Sequence, residues 1–99
     1  MKLEFDESAK ADVFDAARWY EIETVGLGDE FIDAVLAAGA VISANPRAWP
    51  AWPYIRQEVP TIQRYVMDRF PYAIGFQVFD DHVIVLTVAH AKRKPGYWR

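Results

Sequence analysis

The spacing of apolar positions changes several times along this chain, and each change marks an element. Lys2-Leu3-Glu4-Phe5 alternates polar and apolar, which predicts a short strand with Leu3 and Phe5 inward. Asp6 stands where a helix N-cap is expected, and Glu7 suits the positive end of the helix dipole. From Glu7 to about Thr24, Ala9, Val13, Ala16, Ala17 and Tyr20 recur at helical spacing. Gly26 ends that helix. A second follows with Leu27, Phe31, Val35, Ala38 and Ile42 on one face, and Asn45-Pro46 stops it, because proline disfavours helical geometry in the residue before it. Pro46, Pro50, Pro53 and Pro60 make residues 46–61 a long loop, with at most an edge strand near Tyr54–Val59. Ile62 to Phe70 reads as a strand of mixed faces. Tyr72 to Phe79 is another, with Tyr72, Ile74, Phe76 and Val78 forming one apolar face. Asp80-Asp81 is a two-residue hairpin turn, and the unbroken apolar run that follows predicts a strand buried on both faces, at the centre of the sheet. The expectation is an α+β domain of two layers: an N-terminal strand, a helix hairpin, then a three-stranded antiparallel meander. How the N-terminal strand pairs is left open.

Composition narrows the class. With 99 residues, 53% hydrophobic and 25% charged, the chain can bury a core and is expected to form one domain, residues 1–99. It has no cysteine, which excludes disulfides and thiolate metal sites. MKLEFDESAK has no apolar segment suited to a signal peptide, and the longest apolar run, Ala34 to Ile42, is too short to span a bilayer. The expected location is the cytoplasm, with no membrane partner. The net charge of −3 hides a polarity: residues 1–45 hold ten acids and three bases, whereas residues 46–99 hold four acids and eight bases. Such a split predicts an acidic outer face and a basic working face.

Several chemistries fall away. Gly26-Leu27-Gly28 lacks the third glycine and the preceding strand of a dinucleotide loop. Ser8 and Ser43 sit at helix ends with no sign of activation. Asp80, Asp81 and His82 are explained more cheaply by a turn than by a cation site, so neither a metal nor a cofactor is expected. Acids in the helices are spaced as solvated faces. What remains is Arg64 and Arg69 on one strand with His90, Lys92, Arg93, Lys94, Tyr97 and Trp98 after the last. Cations there could hold phosphate oxygens while Tyr97 or Trp98 stacks on a base. The same set could cleave RNA without metal, given a base for the 2′-hydroxyl, cations for the transition state and an acid for the leaving oxygen. The competing reading is a solvated basic end whose aromatics pack on the core. Trp49, Trp52 and Tyr54 likewise either cap one end of the core or form a partner-binding patch.

Trp19-Tyr20-Glu21, Gly26-Leu27-Gly28-Asp29 with Phe31, and Asn45-Pro46 are similar to the helical half of RelE/ParE-type toxins. Arg64-Tyr65-Val66-Met67, Arg69-Phe70-Pro71-Tyr72, the Asp80-Asp81 turn, and Val88-Ala89-His90 running into Arg93-Lys94-Pro95-Gly96-Tyr97-Trp98 resemble their second half, in the right order. The resemblance implies a plasmid-stabilisation type toxin of a bacterial type II toxin–antitoxin pair. Such a toxin arrests growth and is neutralised by an antitoxin segment wrapped around it. RelE-like members cleave messenger RNA in the ribosome. By that likeness Arg69 and Arg93 would face phosphate, and Tyr97 or His90 would move protons. ParE-like members inhibit DNA gyrase instead. Asp68, where a basic residue is common, and a sequence pI near 5.2 both oppose RNA phosphates, so the reading favours the ParE-like branch. A metal-independent endoribonuclease is the alternative, and a degenerate toxin that keeps only antitoxin binding is the third reading. An acidic, amphipathic antitoxin segment is expected on the basic face and the 49–54 aromatics.

Overall fold

A computed structural model describes residues 1–92. Strand β1 (Lys2–Phe5) leads into helix α1 (Glu7–Glu23) and helix α2 (Leu27–Ala44). A 3-10 turn at Pro46–Ala48 and a long loop then precede β2 (Ile62–Val66), β3 (Tyr72–Val78) and β4 (His82–His90). The strands form one sheet in the order β1-β4-β3-β2. The meander is antiparallel as expected, and β1 pairs parallel to β4, with Lys2 opposite His82 and Phe5 opposite Val85. The sheet is therefore mixed, and β4 lies inside it.

Each helix end has a chemical cause. Asp6 accepts from the Ala9 amide at 2.8 Å and caps α1. Gly26, at φ +89°, offers α2 no capping side chain. Glu21 supplies one from α1: its carboxylate accepts from the Gly26 amide at 2.9 Å and the Gly28 amide at 3.0 Å. Gly28 has to be glycine, since a Cβ there would lie 2.6 Å from the Ala17 carbonyl oxygen. One carboxylate and two glycines thus close the helix hairpin.

The helices cover one face of the sheet. Phe31, Val35 and Ile42 of α2 meet Ile74, Phe76, Val83 and Val85, all essentially inaccessible to solvent. At one end Tyr20, Phe31, Phe70 and Tyr72 pack ring against ring, with centroids 5.0–5.4 Å apart for Tyr20–Phe31, Tyr20–Phe70, Phe31–Phe70 and Phe31–Tyr72. On the opposite face a smaller cluster joins Trp52, Ile62, Ala73 and Ala89. That cluster explains why β3 is buried on both sides.

Two expectations change. No strand forms near Tyr54–Val59: the loop makes one isolated bridge, Ala51 to Gln63, and Gln57 does the rest of the pairing with its side chain. The Gln57 amide accepts from the Ile62 N–H and donates to the Trp52 and Ile62 carbonyls, a side-chain substitute for a strand between Pro53 and Pro60. β2 also stops at Val66, so Arg69 lies in the connection to β3 and not on a strand with Arg64.

A cleft between α1 and the end of the sheet

Beyond Val85 the edge of β4 has no strand beside it, because β1 ends and the Asp6 amide makes the last bond, to the Val85 carbonyl. The register with β3 slips at the same level, between Gly75 and Phe76. α1 crosses here, and Asp12 replaces the missing strand: its Oδ2 accepts from the Val88 amide and the Thr87 hydroxyl, each at 3.0 Å. Where α1 parts from the strand ends an open cleft of about 980 Å³ forms, lined by Asp12, Asp15, Trp19, Tyr20, Tyr72, His90 and Lys92 among others. Burial pushes the Tyr20 phenol above its ordinary pKa, so it stays a neutral donor. His90 ends β4 with its ring edge-on to Tyr72 at 5.1 Å, and its Nδ1 accepts from the Lys92 amide at 3.1 Å. That bond makes Nδ1 the unprotonated nitrogen in the neutral ring.

The anticipated site residues do not all meet there. His90 and Lys92 line the cleft. Arg69 pairs with Glu30 of α2 at 2.7 Å and lies over the Phe70 ring. Arg64 is on β2 with its guanidinium over Trp52 at 5.9 Å, and its Nε is buried with no acceptor among the described residues. Arg93, Lys94, Tyr97 and Trp98 lie outside the described residues. Among the aromatics, Trp52 is 8% exposed and packs in the second cluster, and Trp49 is half-buried edge-on to Tyr65 at 4.9 Å. Tyr54, by contrast, is 89% exposed at a left-handed φ of +62°. Asp12, Asp15 and Trp19 were not anticipated as site residues. Their signal was present as an i, i+3, i+7 spacing on α1, which also fits a plain solvated face. Among the described residues no group of histidines or carboxylates could hold a metal ion, and no helix is long and apolar enough to cross a membrane.

Comparison with known proteins agrees with this architecture. One chain of the solved chromosomal ParDE TA system from P. aeruginosa superposes with a TM-score of 0.72 at 18% identity, covering 93% of this chain and 97% of that one. No protein of curated function matches the sequence. The family described as ParE toxin of type II toxin-antitoxin system, parDE, matches residues 3–95. With nearly its whole length matched by that family and its fold shared with a ParDE chain, this protein belongs to the ParE toxins of type II toxin–antitoxin systems.

Proposed function

We propose that this toxin is a single domain that works in the cytoplasm by binding a protein target, and that the target is DNA gyrase, as its ParE-like sequence features imply. One observation carries the choice over RNA cleavage: His90 opens onto a cleft whose wall holds two carboxylates, Asp12 and Asp15. A phosphodiester brought to His90 would meet negative charge in a partly enclosed space, where repulsion is screened less than in open solvent. Arg69 supports the same reading: its guanidinium lies 2.7 Å from the Glu30 carboxylate, so a phosphate drawn to it would meet a further negative charge. Aromatic and acidic surface beside a histidine suits a protein partner better than a nucleic-acid backbone.

The test pairs two assays on purified protein. Inhibition of gyrase supercoiling with messenger RNA left intact on translating ribosomes is the expected result. Unaffected supercoiling at large molar excess, together with ribosome-dependent cleavage, would overturn the proposal in favour of the endonuclease. Neither effect, with antitoxin binding retained, would identify a toxin that has lost its activity.

A further inference from the structure

We infer that the outward ridge of α1 beside the cleft seats a basic, amphipathic segment of the cognate antitoxin, an inference that rests on the toxin reading. At 3.6 residues per turn, Asp12, Asp15, Trp19, Ile22 and Glu23 fall at i, i+3, i+7, i+10 and i+11 and share one side of the helix. Trp19 is 58% exposed and Ile22 is 79% exposed, although both are large and apolar. Exposed apolar groups in a row, continuous with a cleft, mark an interaction surface more than a solvated one. Asp12, Asp15 and Glu23 outnumber the exposed Arg18 of α1 and Lys92 at the cleft, and that balance fixes the sign of the partner. Neither Asp15 nor Glu23 has an ion-pair partner among the described residues, and Asp12 uses only Oδ2 in its bonds to β4.

A segment with apolar residues on one side would bury Trp19 and Ile22. Lysines or arginines beside them would meet Asp15 and Glu23, and one cation could lie over the Trp19 indole. Such an occupant would also cover His90 and Lys92 at the same cleft, so that seating it would mask groups offered to the target. This continuity favours the neutralising antitoxin as occupant over the target itself. The charge demanded is opposite to that of the acidic segment expected on the basic C-terminal residues. The antitoxin is therefore expected to carry both signs, each on its own stretch.

The probes are a short amphipathic Leu/Lys peptide and its Leu/Glu counterpart, titrated into isotope-labelled full-length protein and followed by amide and indole resonances. The Leu/Lys peptide should shift the Trp19 indole and the Tyr20 and His90 amides, and bind at least about tenfold more tightly than the Leu/Glu peptide. In the double variant Asp15→Lys/Glu23→Lys, whose sites are on the helix exterior, that preference should reverse. Three results would overturn the inference: equal binding of both peptides, shifts centred on the α2 acids Asp29 and Asp33, or a preference unchanged in the double variant. Growth arrest on expression is scored separately. A chain that arrests growth but binds the two peptides equally, or not at all, removes this inference alone, and one that binds the Leu/Lys peptide without arresting growth removes the proposed gyrase-directed activity alone.

Discussion

Gly28→Ala adds one methyl group where α1 and α2 come closest, and the structure says what that methyl meets. Its Cβ would lie 2.6 Å from the Ala17 carbonyl oxygen, 3.0 Å from Glu21 Oε1 and 3.1 Å from Glu21 Cβ. The closest contact falls about 0.8 Å short of the 3.4 Å at which ordinary contact begins. Ala17 O is helix backbone and cannot swing aside, so the two helices must part. Overpacking of this kind costs about 1–3 kcal/mol. Parting the helices also stretches the charged Glu21 bonds to the Gly26 and Gly28 amides, and losing one such bond costs about 1.5–3 kcal/mol. Against this, alanine gains up to about 1 kcal/mol over glycine in a helix. The net expectation is a loss of about 2–4 kcal/mol, a large share of the ~5–15 kcal/mol typical of a domain. Gly39→Ala is the control in the same helix: its Cβ would sit 3.6 Å from Leu3 Cδ2, an ordinary contact, so propensity wins and stability rises by up to about 1 kcal/mol. Urea unfolding followed by circular dichroism should show the Gly28→Ala midpoint lower by roughly 1–2 M and the Gly39→Ala midpoint at or above the parent. A Gly28→Ala protein as stable as the parent, or a Gly39→Ala protein weakened by a similar amount, would refute the close-approach account of the hairpin.

Other expectations concern single contacts. Asp12→Ala leaves the Val88 amide and Thr87 hydroxyl without their acceptor and should cost about 2–3 kcal/mol in urea unfolding, with Asp12→Asn costing less because one acceptor oxygen remains. Tyr54→Asn should raise stability by up to about 1 kcal/mol, because asparagine tolerates the left-handed backbone at this exposed site better than tyrosine. Arg69→Ala should change stability by no more than about 1 kcal/mol, since its pair with Glu30 is exposed; a larger loss in urea unfolding would mean that the pair anchors the β2–β3 connection. The hydrogen bond from His82, and then its charge, hold the Asp81 carboxyl below the ordinary aspartate pKa. A depressed carboxylate contributes stability above its unfolded pKa and loses it as pH falls through the folded value. A carboxyl titration followed by NMR should therefore place Asp81 below a free aspartate and return it upward in His82→Ala.

Much of the fold is legible in the sequence because it rests on periodicity and on end signals. The Asp6 cap, the Gly26 stop and the Asp80-Asp81 turn each act within a few residues of themselves, so the residues that cause them are adjacent in the text. What lies further apart is less visible. Parallel pairing of β1 with β4 joins residues about eighty positions apart and depends on how the helix layer returns the chain. Asp12 looks like one more solvated acid until Thr87 and Val88, on the far side of the chain, are brought against it. Gln57 reads as a loop residue until its amide is seen doing a strand's work. The candidate site divides along the same line. His90 and Lys92 are found from composition at the end of an apolar run, whereas the acidic wall facing them is assembled only by the crossing of α1. Trp52 shows the converse: its composition suits recognition, and the small residues Ala73, Gly75 and Ala89 make room to bury it.

The carboxylate that finishes β4 has a consequence for how this molecule can be approached. A sheet whose marginal strand keeps open amides invites another chain to zip onto it, and that route leads to misassembly as readily as to recognition. Here β1 shields the first half of β4 and Asp12 shields part of the rest, while on the opposite margin the backbone at Pro50 and Trp52 engages Arg64 and Ile62 of β2. At these stretches the main chain has little left to offer a newcomer. Recognition there has to be read from side chains, so a partner can be matched or mismatched residue by residue.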